Sequence, residues 1–268
     1  MSDPPTPEAT RANPVATTVT FVGHSTVAIE GSGTRLLTDP LLRDGLLGFL
    51  RRRPPLRPLG PARRPDAVLI SHLHFDHLDF PSLRSLPSGT PIVAPRGTGR
   101  FLGRRGFHDV VELDEGEGLR VGGMRVTALP ARHGSGGRPR AGGVGSLGYL
   151  VEATARVYFA GDTELFYEMR EIGRGLDCAL LPIWGWGPRL GPGHLDPFSA
   201  AEALRLLEPR IAVPIHWGSY TPLGARRLWP WLETEAARRF VRDAGRLAPG
   251  VEVRVLEAGE SLDLDRVG

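Results

Sequence analysis

The sequence predicts an α/β fold arranged as a four-layer αββα sandwich. Three observations carry this. Short β-rich segments joined by glycine-containing turns open the chain, a second β-rich run occupies its middle, and each block leads into segments that read as helices between strands. Two such blocks give two sheets packed face to face with helices outside. No tandem repeat and no long linker divides the 268 residues. A single domain over residues 17–268 is therefore expected, after a disordered tail at 1–16 that begins "MSDPPTPEATRANP".

The elements follow in order. "TTVTFVG", "STVAIEG" and "TRLLTD" read as three strands. The next stretch, "LLRDGLLGFLRRRPPLRPLGPARRP", is expected to hold no regular structure because of its prolines. "DAVLIS" is a short apolar strand, "FPSLRSL" a brief helix with Pro near its start, "TPIVAP" a strand and "GTGRFLGRRGF" a helix. Strands with glycine turns run through "DVVELDEGEGLRVGGMRVTALPARH", and "LGYLVEA" and "RVYFAGDT" add two more. "ELFYEMREIGRG" reads as helix, "DCALLPIW" as strand, "DPFSAAEALRLLE" as helix and "RIAVPIHWG" as strand. A helix is expected from about Ala225 to Ala244, and "VEVRVLEAGESLDL" closes with strand.

Composition narrows the function classes. Basic residues number 33 against 30 acidic ones, and every basic residue is Arg. The sequence pI of 9.6 follows partly from that, because Arg stays protonated far above neutral pH. A formal charge of +3 with no aromatic-interleaved basic stretch argues against a nucleic-acid partner. Cys178 is the only cysteine, which excludes an intrachain disulfide, and its strand setting reads as an inert core thiol. The N-terminus lacks the pattern of a secretory signal, and no apolar run reaches the ~20 residues of a membrane span. A soluble, cytoplasmic protein is expected; peripheral membrane contact and the oligomeric state stay open.

The histidines carry the chemistry. Seven of the eight, His24, His72, His74, His77, His133, His194 and His216, fall at or near predicted strand ends, joined there by Asp39, Asp76 and Asp162. Strand-end loops are where a sheet scaffold gathers distant residues. In "SHLHFDHLD", His72 and His74 are two apart on an extended loop and point to one side, so they can chelate one ion. Asp76 and His77, read as opening the next helix, are directed elsewhere and suit a second ion. His133 and His216 supply distant ligands, and Asp162 is the candidate bridge. A lone histidine is more often a satisfied core residue, but six of them recurring with aspartates at strand ends are better read as a metal centre. Imidazole and carboxylate ligands suit two divalent ions, zinc first, with Mn and Fe as alternatives.

The motifs "SHLHFDHLD", "ARHGSG", "FAGDT" and "PIHWG" resemble, in order, those of the metallo-β-lactamase superfamily of dinuclear metallohydrolases. "FVGHSTVAIE", "LLTDP" and "GHLDPFSAAEAL" further resemble the N-acyl-phosphatidylethanolamine phospholipase D subgroup, which includes sugar-phosphate lactonases. The likeness runs from Val19 to Leu262. It implies the metallo-β-lactamase fold with metals at one edge between the sheets. It also implies one metal on His72, His74 and His133, a second on Asp76, His77 and His216, and Asp162 between them. His194 corresponds to a histidine that touches substrate, while His24 and Asp39 correspond to residues that orient the ligands or serve the structure.

Such a centre implies a hydrolase in which a metal-bridging hydroxide attacks in line, with Asp76 and Asp162 orienting it and His194 protonating the leaving group. A phosphodiester, or a phosphorylated small molecule or lipid, is the leading substrate; a lactone or other ester is the alternative. A di-iron redox protein is a third, weaker reading. Trp186 and Arg189 in "IWGWGPRLGPGHLDP" are candidates to line the pocket. The Leu41–Arg64 stretch is read as a surface loop with solvated arginines, with acyl-chain and phosphate binding as its functional alternative. The small residues "GSGGRPRAGG" after His133 stand where the phospholipase carries a bulky aromatic, which weakens the lipid reading.

Overall fold

The structure, a computed structural model, describes residues 16–52, 55–56, 60–134 and 144–266. Almost all of the expected tail, together with Arg53, Arg57 and most of the glycine-rich run after His133, lies outside the described residues.

The first sheet contains β1 (Thr18–Gly23), β2 (Thr26–Gly31) and β3 (Thr34–Thr38), which pair antiparallel through two tight turns. The chain then forms β4 (Gly45–Leu46) and β5 (Leu50–Arg52) before re-entering the sheet as β6 (Ala67–Leu69), parallel to β3. Parallel pairing needs a crossover. Helix α1 (Phe80–Arg84) supplies one before β7 (Ile92–Pro95), and α2 (Gly99–Gly103) another before β8 (Val110–Leu113).

The second sheet repeats that plan. Strands β9 (Gly118–Val121), β10 (Met124–Pro130), β11 (Leu147–Glu152) and β12 (Arg156–Phe159) pair antiparallel in turn. Helix α3 (Met169–Ile172) then leads to β13 (Cys178–Pro182), and α4 (Pro197–Leu207) to β14 (Ile211–Ile215), both strands parallel to β12. Asp196 caps α4, accepting from the Ser199 amide at 2.8 Å, and Pro197 occupies the first turn, where its missing N–H costs nothing. After β15 (Tyr220–Pro222) come α5 (Ala225–Leu228) and α6 (Glu235–Leu247). β16 (Glu252–Val253) then pairs with β14, and β17 (Glu260–Asp263) returns to β1 in the first sheet.

Period-two alternation makes the layers. In β6, Ala67 and Leu69 face the core between the sheets while Val68 packs outward under α1 and α2. In β13, Cys178 and Leu180 face inward, and Ala179 and Leu181 meet α3, α4 and α6. Phe21, Ile29, Val126, Tyr149, Phe159 and Val213 fill the space between the sheets. Each fully buried side chain of this size contributes about 1.5–3 kcal/mol.

Three expectations are corrected. The stretch after Leu41 is not irregular throughout: β4 and β5 form a hairpin that pairs with β15, because the prolines begin only after β5. Its Leu41, Leu46 and Leu50 pack with Tyr220 in a separate small cluster. The helix expected over Ala225–Ala244 is broken into α5, a 3₁₀ turn at Pro230–Glu233 and α6, since Pro230 cannot continue α5. Asp76 and His77 lie in a turn ahead of α1, with the His77 and Leu78 amides both donating to the His74 carbonyl, and the helix starts only at Phe80 behind its cap Asp79.

Candidate metal centre

The C-terminal ends of strands from both sheets meet at one edge. His24 follows β1, Asp39 follows β3, and Ser71 to His77 follow β6; His133 follows β10, Asp162 follows β12 and His216 follows β14. His72, His74, His133 and Asp162 bring one ligand atom each within 4.8 Å of one another, and so do His24, Asp76, His77 and His216. These two groups match the two triads expected from sequence, with Asp162 joining the first and His24 the second. The Asp162 Oδ2 atom lies 3.1 Å from His77 Nε2, 3.5 Å from His216 Nε2 and 3.9 Å from His72 Nε2.

The ring nitrogens show what the cluster is built for. His133 Nδ1 lies 2.6 Å from the Gly193 carbonyl and His216 Nδ1 lies 2.7 Å from the Trp184 carbonyl, so both nitrogens donate. His77 Nδ1 donates to the Asp39 carboxylate at 2.7 Å. Ser71 gives its hydroxyl proton to Asp39 at 2.6 Å and therefore accepts from His72 Nδ1 at 2.9 Å. With these four outward nitrogens protonated, the neutral rings turn lone pairs inward, toward His74 and one another. There His72 Nε2 and His74 Nδ1 are 2.9 Å apart, His74 Nδ1 and His133 Nε2 3.1 Å, and His77 Nε2 and His216 Nε2 3.1 Å. Facing lone pairs at these distances repel unless a cation stands between them. The buried Asp162 Oδ1 also has no hydrogen-bond partner among the described residues. The donor set fits divalent metal ions.

Electrostatics agree. Burial pushes His72 well below its ordinary range and His74 down to about 4, keeping both rings neutral as ligands must be. Burial would raise Asp76 and Asp162, but the imidazoles around them, His77 at Asp76 and His216 with His77 at Asp162, hold both carboxyls well below the usual range. His77 goes the other way: burial opposes its charge, yet Asp162, Asp76 and Asp39 together raise it well above the ordinary value. Without a metal ion, a second proton on His77 Nε2 would thus do part of what a cation does between His216 and these carboxylates, and a bound metal would displace it.

The remaining candidates divide. His24 is buried, its Nε2 bonds Asp76 Oδ2 at 3.0 Å, and its carbonyl accepts from the His216 amide at 2.9 Å. Asp39 orients His77 and Ser71. His194 reaches Asp162 Oδ2 at 3.4 Å through Nε2, while its Nδ1 faces the Gly191 and Pro192 carbonyls. Trp186 and Arg189, with Phe75, Leu190 and His194, line a cavity of about 300 Å³ that opens onto Asp76, Asp162 and His216. Trp184 instead packs against the helical layer. Arg52, one of the arginines considered for phosphate, is buried and bonds the Leu41 carbonyl at 3.0 Å, Tyr220 at 3.3 Å and the Val22 carbonyl. It is a structural clamp.

Several contributors had no distinguishing mark in the sequence. Ser219 accepts the His24 amide at 2.7 Å and so helps hold His24 in a left-handed conformation (φ 59°). His24, Asp39 and His216 are three of the six non-glycine residues with positive φ among the described residues, a concentration of strain typical of functional sites. Gly161 (φ 61°) sets up Asp162; a Cβ there would stand 2.7 Å from Ser71 Cβ.

Layered sheets with a histidine and aspartate cluster at their shared edge define a metallo-β-lactamase-fold protein, and residues 34–217 match the family described as beta-lactamase superfamily domain. A UPF0173 metal-dependent hydrolase of Deinococcus radiodurans is 36% identical over 91% of this chain and 97% of its own length. One from Rubrobacter xylanophilus is 33% identical over 92% and 96%. The chain belongs to the beta-lactamase superfamily, among its UPF0173 metal-dependent hydrolases. Among solved structures, Igni18, a metallo hydrolase from Ignicoccus hospitalis, superposes with a TM-score of 0.69 at 24% identity, over 92% of this chain and 98% of Igni18. CmlA, a diiron β-hydroxylase from Streptomyces venezuelae, superposes with 0.68 at 22% identity, over 94% of this chain and 55% of CmlA. At these identities the likeness shows the fold alone.

Proposed function

We propose that this metal-dependent hydrolase acts on a phosphodiester or another phosphorylated small molecule. We assign one divalent ion, zinc first, to His72, His74 and His133 and a second to Asp76, His77 and His216, with Asp162 shared. The observation that carries this reading is the set of inward-facing ring nitrogens around Asp162, beside a cavity whose wall includes Arg189. At about 300 Å³ the cavity stands at the small end of ligand sites, which favours a compact substrate over a long-chain lipid. The likeness to the phospholipase D and lactonase subgroup supports phosphate and ester chemistry generally.

A bound metal pair would supply Lewis acidity and a water of lowered pKa. The chain's own residues do the rest. Asp39, Ser71 and the Gly193 and Trp184 carbonyls hold protons on the outward ring nitrogens, which leaves the inward ones to face a metal. His24 orients Asp76. His194, its side chain 19% exposed, holds a proton on Nδ1 against two carbonyls and turns Nε2 toward Asp162 and the cavity, where Nε2–H serves a leaving oxygen. Arg189 offers a guanidinium to a substrate phosphate, and Trp186, braced edge-on by Phe49 at 6.1 Å, limits water at the mouth. Opening a lactone or similar ester is the second reading, favoured by the apolar wall of Phe75, Trp186 and Leu190.

The test is elemental analysis with hydrolysis of bis(p-nitrophenyl) phosphate and an aryl lactone. About two metals per chain are expected, with phosphodiester turnover lost together with metal in His72→Ala. Arg189→Gln should raise KM for the phosphodiester and leave the lactone unaffected. Turnover that survives complete metal removal would sink the mechanism, and lactone turnover alone would select the second reading. A visible absorption band with iron bound would instead direct attention to redox chemistry.

A further inference from the structure

Phe75 stands between two of the clustered residues, His74 and Asp76. It occupies the second position of the turn that the His77 amide closes on the His74 carbonyl at 3.1 Å. Exposed turn positions favour polar residues and glycine. This one carries a phenyl ring and is 38% exposed, while Leu73 and Leu78 to either side are buried. A ring that only filled core would be covered as those leucines are. Phe75 instead bounds the cavity beside the metal centre, together with Trp186 and Leu190. Trp186 is held in place there: Phe49 meets its ring edge-on at 6.1 Å, and it packs against the small cluster of Leu41, Leu46, Leu50 and Tyr220.

Two glycines keep this cavity open. Gly185 and Gly191 line it, and neither has a left-handed backbone. A Cβ on Gly185 would meet Leu190 at 3.7 Å and His216 at 3.8 Å, and one on Gly191 would meet His194 at 3.9 Å, all ordinary van der Waals distances. Backbone conformation and packing therefore do not require glycine at either position. The atoms that a Cβ would approach belong to residues that line the cavity, so a longer side chain would take up its space. Exposed apolar rings beside space left clear are what a ligand pocket needs and a solvated loop does not.

We propose that Phe75 is a specificity-determining residue: with Trp186 and Leu190 it receives an aryl group that the substrate carries next to its reacting phosphate or ester. Contact with the two aromatic residues and removal of the aryl surface from water supply the selectivity. This deepens the reading given above for the same cavity and rests on it only for where the reacting group lies.

The experiment is calorimetric titration of the full chain as purified, its metal content measured, with four small anions: phenylphosphonate, methylphosphonate, benzoate and acetate. Each phenyl compound should bind at least about ten-fold tighter than its methyl counterpart. Phe75→Ala should reduce that ratio to about two-fold or less by weakening the phenyl compounds, with metal content as in the native chain. Phe75→Leu, which keeps apolar bulk and guards against a turn that fails to form, should fall between. In hydrolysis, p-nitrophenyl phenyl phosphate and p-nitrophenyl methyl phosphate share a leaving group, so Phe75→Ala should raise KM for the first and not for the second. Equal binding of phenyl and methyl compounds to the native chain, no binding of any of the four at ten millimolar, or a phenyl preference undiminished in both Phe75 variants would each overturn the proposal. Benzoate binding tighter than phenylphosphonate would count against the phosphodiester reading alone, with the phenyl preference still standing.

Discussion

At the scale of single residues, four imidazoles of the cluster, those of His72, His77, His133 and His216, are fixed at one nitrogen so that the other turns toward the cluster's centre. The fixing groups are Asp39, Ser71 and two main-chain carbonyls, those of Trp184 and Gly193. The residues that cluster were legible in the sequence, because histidines and aspartates packed behind an apolar strand have no economical structural explanation. Their partners were not: a carbonyl oxygen has no residue type, and Ser219 or Gly161 looks like any other loop residue. Cys178 shows the opposite case, a reactive residue type made inert. It is fully buried on β13 between Val157 and Ile211, and burial pushes its thiol up to about 12. The native protein should therefore give no thiol titre with a disulfide reagent at pH 8, and one thiol per chain after denaturation. A rapid native titre would show that β13 opens in solution.

At the scale of elements, the short strands and α4 were read correctly, while helices were read too long and a hairpin was missed. Helix α4 stands out in sequence because its Asp–Pro start and apolar spacing agree. The helix expected over "ELFYEMREIGRG" shrinks to Met169–Ile172, and the Pro-rich stretch conceals the β4–β5 hairpin. That hairpin is held by a contact no local pattern reveals. Arg52 reaches from β5 to the carbonyls of Val22 and Leu41 and to the Tyr220 hydroxyl. Removing it leaves buried acceptors unsatisfied beside His24. Arg52→Ala should therefore lower unfolding free energy by about 3 kcal/mol in urea titrations. Arg51→Ala, one residue away and exposed, should change it by no more than about 0.5 kcal/mol. Equal effects would mean that the clamp does not form and that hairpin charge alone matters.

At the scale of the whole molecule, the cluster joins the two sheets. His24, His72, His74, Asp76 and His77 come from the first, and His133, Asp162 and His216 from the second. Direct links across that edge among the described residues include the Tyr149 hydroxyl donating to the Ile70 carbonyl at 2.7 Å, the Leu147 amide to the Ser71 carbonyl at 2.9 Å and the His216 amide to the His24 carbonyl at 2.9 Å. Without cations, repelling lone pairs and two buried carboxylates remain where the sheets should be held together. With cations, the same groups draw the sheets inward, and because the site exists only in the folded chain, metal binding becomes folding energy. At one hundred times the dissociation constant each site contributes about 2.7 kcal/mol. For a chain of this size that corresponds to a melting-temperature rise on the order of 5–10 °C per site. Scanning calorimetry should thus show a midpoint that falls on chelation, recovers on adding zinc and climbs with the logarithm of free metal. In His216→Ala, which removes a proposed ligand contributed by the second sheet, most of that response should disappear. A midpoint indifferent to chelation would mean that the core between the sheets, from Phe21 to Val213, carries their apposition unaided and that the cluster serves chemistry only.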